Sequence, residues 1–241
     1  MLDFAVSRSG PAALSGKEPE ALSVCGVLND QGVLGLDHLR LWGHFNDLVA
    51  TGIGRKLKAE TSLYMTATAH ANMAFVHLRK LLDTPRRAVS MSYLLKVVDK
   101  TMPTLVRETA TRDPALAWSE QALRQALASH RMALADLEKR AAPALTMVNQ
   151  LIVHVDDGHL RDPIAMGKLI EQSRVTHETF TAYFRCAQWI VNSWDLAWRC
   201  AQVDWEAPVN RDDFAPIRAA LTAGALGKSA PGRSGTATPR S

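Results

Sequence analysis

The sequence predicts an all-α fold, a bundle of about seven or eight helices. Through most of the chain, apolar residues recur at spacings of three and four, which places them on one face of an α-helix. No segment of the central region alternates apolar and polar residues as a half-buried strand does, and no repeat with a period of about 20–50 residues indicates a solenoid. The hydrophobic fraction of 47% is ordinary for a globular domain with a core.

Three regions of the chain differ in composition. Residues 1–35 are rich in Gly, Ser, Pro and Ala without a sustained period, which predicts a loose N-terminal segment with Ala21–Val27 as a candidate short apolar stretch. Residues 36–221 form the predicted helical domain. Residues 222–241 contain almost no side chain that a core would bury, which predicts a disordered C-terminal tail.

The ends of the predicted helices follow from Gly, Pro and capping residues. Ser90 is a candidate N-cap, and Pro114 occupies the first position of a predicted helix. Pro143 either kinks that helix or starts a new one. The predicted helices are Leu36–Thr51, Ala59–Leu82, Met91–Thr101, a helix from Pro114 toward Ala141, Ile164–Gln172, Thr176–Val203 and a short one from Asp212 through Leu221.

The charge of the chain permits an RNA partner without indicating one. The net charge is +4, and the C-terminal tail contributes three basic residues and no acid to it. The helical domain is therefore only mildly basic, and a phosphate-binding surface depends on clustering of charge rather than on a small total.

The same bulk properties predict a cytoplasmic protein. No run of about 18 apolar residues is long enough to cross a membrane, and the N-terminus has no basic and apolar pattern of a secretion signal. Cys25, Cys186 and Cys200 are odd in number and widely spaced, so we expect reduced thiols rather than disulfides. The sequence indicates no cofactor and no metal.

The stretch from Val148 to Asp156 carries the candidate chemistry. At about 100° per residue, the apolar residues around Val148 form one stripe, whereas His154 projects about 120° to one side and Asn149 about 100° to the other. We therefore expect His154 at the edge of the buried face or outside it. The residues of the stripe are Ala141, Ala144, Leu145, Leu151, Ile152 and Val155.

These residue types suit metal-independent RNA cleavage. Histidine titrates near neutral pH and can move the proton of a 2′-hydroxyl or of the leaving oxygen, which gives His154 a catalytic role. Asn149 can orient a reacting group through its amide. The reaction also needs a cation beside the phosphate. The structural alternative is a helix-end His154 paired with a backbone carbonyl or with Asp156.

Several segments, taken in order, resemble the abortive-infection AbiU-type HEPN-like proteins, an all-helical family found in phage-defence and toxin contexts. Asn149, His154 and Asp156 are similar in kind to the family's signature. Val148 stands where the family has an arginine, Gln150 where it has a lysine, and Lys80 where an arginine is usual. The other segments are Leu41-Trp42 with Leu48–Gly52, His77–Pro85, Met91–Leu95 and Asp212–Phe214.

The resemblance implies a HEPN-like helical bundle that forms a homodimer and brings its two signatures together. It implies a phage-defence or toxin-related role, with RNA as substrate, an antitoxin as partner, and Asn149, His154 and Asp156 as catalytic residues. Because Val148 removes the charge of the signature arginine, we consider an arginine supplied from elsewhere in the dimer, such as Arg79 or Arg140. The alternative is a non-catalytic helical interaction or RNA-binding scaffold.

Two further groups of side chains have structural explanations. His130, His154 and His159 lack the spacing of zinc ligands, so we expect no zinc site. Aromatic residues near the C-terminal end of the helical domain either form a stacking surface for RNA bases or belong to the core, and their apolar stripe favours the core. They are Tyr183, Trp189, Trp194, Trp198 and Trp205.

Overall fold

The computed structural model shows six helices in the part of the chain that it describes, and within that part no strand occurs. This confirms the all-α class. The HEPN-like arrangement and the count of seven or eight helices stay predictions. The helices are α1 (Glu20–Ala50), α2 (Ile53–Leu57), α3 (Glu60–Leu82), α4 (Met91–Arg112), α5 (Glu120–Met147) and α6 (His177–Arg199). The described residues are 20–57, 60–83, 88–112, 118–147, 175–199, 202–206, 219–220 and 223.

Helix α1 begins earlier than its composition suggested. The composition of residues 1–35 predicted a loose segment, but the chain is helical from Glu20 onwards. Leu22, Cys25 and Leu28 are buried at a spacing of three, so this stretch has an apolar face. Its glycines lower helix propensity, and the pattern was missed for that reason. Residues 1–19 and most of the expected tail lie outside the described residues.

Hydroxyl side chains cap three of the helices. The predicted N-cap Ser90 is confirmed, because its Oγ accepts a hydrogen bond from the backbone N–H of Tyr93 at 3.3 Å. Ser119 caps α5 in the same way, and Thr176 caps α6. Trp118 and Ser119 are not helical, so the prediction that α5 starts at Pro114 is wrong.

Two prolines lie inside helices without ending them. α4 continues past Thr101, its predicted end, through Pro103 to Arg112. Pro143 lies inside α5, which runs on to Met147. A proline removes one backbone hydrogen bond, and packing on the opposite face of the helix offsets that loss. Pro143 therefore does not start a new helix.

The core is organised around α6, whose predicted apolar stripe is buried throughout. It packs against α1, α4 and α5, and α1 packs most extensively against α3. The structure therefore assigns Tyr183, Trp194, Trp198 and Trp205 to the core, and of the proposed stacking aromatics only Trp189 is exposed, at 49%. The buried stripe consists of Phe180, Phe184, Ala187, Val191, Trp194 and Trp198.

Two glycines of α1 allow large aromatic rings to reach the helix backbone. A Cβ atom at Gly32 would lie 2.3 Å from the indole ring of Trp205. One at Gly35 would lie 2.3 Å from the ring of Phe184. The glycines that weaken the local helix preference thus provide the closest packing between α1 and its neighbours.

A buried polar group links α1 to α6. Asp195 Oδ2 accepts a hydrogen bond from Asn29 Nδ2 at 3.1 Å, and its Oδ1 accepts one from Arg199 Nε at 2.6 Å. Trp205 Nε1 donates to Asn29 Oδ1 at 2.7 Å. Asp195 is fully buried, so these bonds replace the water that its carboxylate loses on folding. Separately, none of the described helices has a stretch both long and apolar enough to span a membrane.

Candidate functional site

The predicted catalytic residues Asn149, His154 and Asp156 lie outside the residues that the structure describes, as does Val148. Helix α5 ends at Met147, directly before this stretch. The proposed roles of these side chains in proton transfer and orientation stay predictions.

The helix that leads into the signature has the predicted buried face. Ala141 and Ala144 are 0% and 1% exposed, and Leu145 is partly buried against the core. The prediction that these three residues lie on the core stripe is confirmed. The direction in which α5 faces the core is therefore known up to the last turn before the signature.

The two arginines considered as a cation source are on different helices. Arg140 lies on α5, where its guanidinium is half exposed and pairs with Asp136 at 2.9 Å. The backbone carbonyl of Arg140 accepts a hydrogen bond from the hydroxyl of Tyr183 at 3.0 Å. Arg79 lies in the last turn of α3. The ion pair with Asp136 reduces the charge that Arg140 offers to a phosphate.

The described residues bring together three histidines, His38 of α1 with His70 and His77 of α3, which we call the histidine cluster. The Nδ1 atoms of His38 and His70 are 2.9 Å apart, a hydrogen-bond distance. The rings of His38 and His77 are stacked, with centroids 5.6 Å apart. Phe45 stacks on the ring of His70, with centroids 5.6 Å apart.

The hydrogen bonds of the cluster constrain its protons. A ring nitrogen that accepts must carry no proton, so at least one of His38 and His70 is neutral in this arrangement. The Nδ1–H of His77 donates to the side-chain oxygen of Gln31 at 2.9 Å. The neutral form of His77 therefore has its proton on Nδ1 and a free lone pair on Nε2.

The surroundings of the cluster favour neutral rings. Burial lowers the pKa of His38 and, together with the charge of His38, that of His70. Burial, the nearby Lys80 and His38 lower the pKa of His77 to about 4. Asp37 acts in the opposite direction on His38, with a smaller effect than burial. Around neutral pH the cluster accepts protons poorly and is a weak base.

His130 of α5 is enclosed by aromatic rings. It is 3% exposed and makes edge contacts to Trp189 and Trp194, with centroids 4.5 Å and 5.3 Å away. Burial lowers its pKa to about 4. Among the described residues, none forms a hydrogen bond with its Nδ1. This environment fits a neutral core histidine.

The two described cysteines are free thiols without nucleophilic character. Cys25 is buried, and burial raises the pKa of its thiol to about 12. Burial also raises the pKa of the half-buried Cys186. Within the described ranges, no three His, Cys, Asp or Glu side chains are placed to hold a metal ion.

A shallow groove between α4 and α5 has a volume of about 240 Å³. Lys96, Arg131 and Glu138 line it together with Leu95 and Leu134. Arg131 Nη2 pairs with Asp99 Oδ2 at 2.7 Å. The carboxylate of Glu138 further offsets the positive charge that Lys96 and Arg131 would offer to an anionic ligand.

No protein-family model, curated protein or solved structure matches this chain. The HEPN resemblance therefore depends on the motifs themselves. In the described structure two of these coincide with helix ends. Thr51 and Gly52 form the small turn after α1, with Gly52 at a φ of 70°, and Met91 begins α4.

The histidine cluster was only partly visible in the sequence. His70 and His77 are seven residues apart and share one face of α3, as their spacing indicates. His38 is 32 residues before His70 and reaches it only through the packing of α1 on α3. Nothing in the local pattern around His38 distinguishes it from a solvated histidine.

Proposed function

We propose that this protein is a HEPN-type helical protein with a phage-defence or toxin-related role, and that it cleaves RNA without a metal, with His154 as the proton-transfer residue. Asn149 and Asp156 orient the reacting groups and the imidazole. Val148 in place of the signature arginine lowers the rate, because it removes the cation that would stabilise charge on the phosphate. We therefore propose weak cleavage, with RNA as substrate and an antitoxin as the controlling partner.

The observation that supports this proposal is the buried face of α5. Ala141, Ala144 and Leu145 define which side of the helix meets the core immediately before the signature. A helix that continued this register at about 100° per residue would turn His154 between about 80° and 180° away from these three residues. An imidazole on that side would be accessible to a substrate, which a proton-transfer residue requires.

The same register favours a site made by two copies of the chain. Asn149 and His154 are five residues apart, about 140° around a helix. Side chains so far apart on one helix do not reach the same substrate atom from that helix alone. A homodimer that apposes the two signatures brings His154 of one copy toward Asn149 of the other, as the family resemblance implies.

The test compares wild type with His154→Ala and with His159→Ala as a matched control. His159 lies five residues further on and is not part of the signature. We expect the purified wild type to cleave RNA in the presence of a chelator. His154→Ala should cleave about 10²-fold more slowly, the loss usual for a general acid or base, whereas His159→Ala should keep the wild-type rate.

Expression in bacteria provides the second measurement. Induced wild type should slow growth and degrade RNA, and His154→Ala should do neither at equal protein levels. Intact RNA with the wild type, or equal cleavage by His154→Ala, would overturn the proposal. Circular dichroism shows whether each variant retains the helical content of the wild type.

The second candidate is a non-catalytic helical interaction protein, which the outer face of α3 favours. Besides the stripe that meets the core, α3 carries outward-facing Met65, Ala69, Met73 and Val76 at helical spacing. Met65 is 66% exposed and Met73 is 41% exposed. A helix that is apolar on both sides indicates a partner on the outer side. We propose a second copy of the chain, since residues 61–78 contain no Asp, Glu, Lys or Arg and two such faces meet without repulsion.

Charge placed on this face should prevent self-association. We expect the wild type to elute as a dimer in light-scattering chromatography and Met65→Glu/Met73→Glu to elute as a monomer. Met132→Glu is the control, because Met132 is 69% exposed on α5, away from this face. A double variant that remains dimeric, or a wild type that is monomeric, contradicts the second candidate. Dimerisation through α3 without RNA cleavage supports it over the first.

A further inference from the structure

The two halves of α1 are held in different ways. The first half is anchored in the core by the contact of Gly32 with Trp205, the contact of Gly35 with Phe184, and the hydrogen bond from Asn29 to Asp195. These contacts all come from α6 or the segment that follows it. Further along α1, Arg40 donates to the carbonyl of Glu206 at 3.2 Å, and the rings of Trp42 and His177 lie 5.8 Å apart.

The second half of α1, α2 and the start of α3 have fewer buried side chains than the first half of α1. We call residues 40–57 and 60–70 the projecting end. From Arg40 to Asp47, all side chains are partly or fully exposed. Among its described side chains, only Leu48, Leu63 and Ala67 are buried. Segments with so few buried apolar side chains open at a lower free energy than the core.

The histidine cluster lies where the projecting end joins the anchored part. His38 is one residue before Leu39, which is the last buried residue of the anchored half. His70 is the last residue of the projecting end, and it lies on α3 within hydrogen-bond distance of His38. His77 lies one heptad further into the core, where Gln31 holds it. A change in this cluster therefore acts at the base of the projecting end.

We propose that the histidine cluster is an acid-sensitive latch, in which protonation of His38 and His70 separates α1 from α3 and opens the projecting end. Two protonated rings have only donors at Nδ1, so the 2.9 Å contact between His38 and His70 becomes a repulsion between two cations. The ring of His77 stacks on that of His38 with centroids 5.6 Å apart, so a charge on His38 also disfavours protonation of His77. The latch is independent of RNA cleavage.

Other charged groups around the cluster modify this response. Asp37, which pairs with Arg40 at 3.0 Å, favours the charged form of His38, and Lys80 opposes the charge of His77. From α6, His177 Nε2–H donates to the carbonyl of Leu39 at 3.2 Å. None of these groups removes the repulsion between the two apposed Nδ1 atoms.

The direction of the pH dependence follows from the lowered pKa values. The open state, with pKa values near 6.5, binds protons more readily than the closed state, so closure is fully favoured above about pH 6.5. As the pH falls below that value, the closed state loses stability. The loss is complete only below the lowered values, of which that of His77 is about 4.

Hydrogen exchange measured by mass spectrometry on the full chain tests the latch. Between about pH 7.5 and about pH 5, after correction for intrinsic rates, we expect exchange in residues 40–70 to become about ten-fold faster, which corresponds to about 1.4 kcal/mol. Residues 20–35 and α6 should stay protected. His38→Gln keeps a polar side chain that does not titrate and removes the repulsion between two cations, so its exchange in residues 40–70 should depend less on pH than that of the wild type.

His177→Gln is the matched control, because His177 also contacts α1 but lies outside the cluster. It should keep the wild-type pH dependence. His70→Gln provides a second test from the other helix and should behave like His38→Gln. If wild-type exchange in residues 40–70 changes no more than in α6, or if both glutamine variants retain the full response, the latch does not exist.

Discussion

Replacing Asp195 with Ala should lower the free energy of unfolding by about 3 kcal/mol, the lower end of the range for breaking a buried ion pair. Asp195 accepts hydrogen bonds from Asn29 and from Arg199 and is fully buried. Its removal leaves the amide of Asn29 without an acceptor in the core. Arg199 keeps part of its hydration because its side chain is 34% exposed, which limits the loss.

The chain contains a matched control for this change. Asp136 and Arg140 have the same i,i+4 spacing on α5 that Asp195 and Arg199 have on α6. The side chains of Asp136 and Arg140 are 61% and 52% exposed, so we expect Asp136→Ala to change stability by no more than about 0.5 kcal/mol. Urea unfolding followed by circular dichroism measures both. Equal losses would show that the buried link does not stabilise the fold.

Replacing Gly32 with Ala should destabilise the protein by about 2 kcal/mol, within the range for overpacking a core. The new methyl group would lie 2.3 Å from the indole of Trp205, so the ring must move. That movement also disturbs the hydrogen bond from Trp205 to Asn29. A single added carbon thus affects both the packing and the buried polar link.

Gly26 provides the comparison on the same helix. A Cβ there meets no atom within 4 Å, so Gly26→Ala should stabilise the protein by about 0.5–1 kcal/mol through helix propensity alone. Thermal and urea unfolding of the two variants should therefore shift in opposite directions. If Gly32→Ala is as stable as Gly26→Ala, Trp205 does not pack against α1 as described.

Helix formation was predictable wherever the apolar period was strong and the caps were clear. The stripe of α6 and the N-cap Ser90 follow from local spacing, and the structure confirms both. The start of α1 was not predicted, because its glycines lower helix propensity, whereas Gly32 and Gly35 contact aromatic rings from distant parts of the chain. Helix propensity reflects the free-energy cost of a glycine within its own helix, and it does not include the packing with distant residues that offsets this cost.

The two candidate sites also differ in how far local sequence indicates them. The signature residues Asn149, His154 and Asp156 were proposed from residue type, spacing and the family resemblance, and their roles stay proposals. The histidine cluster was not predictable as a whole, since His38 and His70 meet only where α1 packs on α3. Local spacing revealed just the pair on α3, His70 and His77.

The amino-acid sequence by itself determined that this protein is helical, because the period of its apolar residues is a property of neighbouring positions. The tertiary structure decided which polar groups are buried. It also decided that Asp195 of the Asp195–Arg199 pair is buried whereas the Asp136–Arg140 pair is exposed, and that His38 and His70 lie within hydrogen-bond distance. Those outcomes depend on residues far apart in the chain. In water, side chains of the same type are solvated to a similar extent, and burial removes that solvation from some of them. Their energies and pKa values therefore depend on how the helices pack.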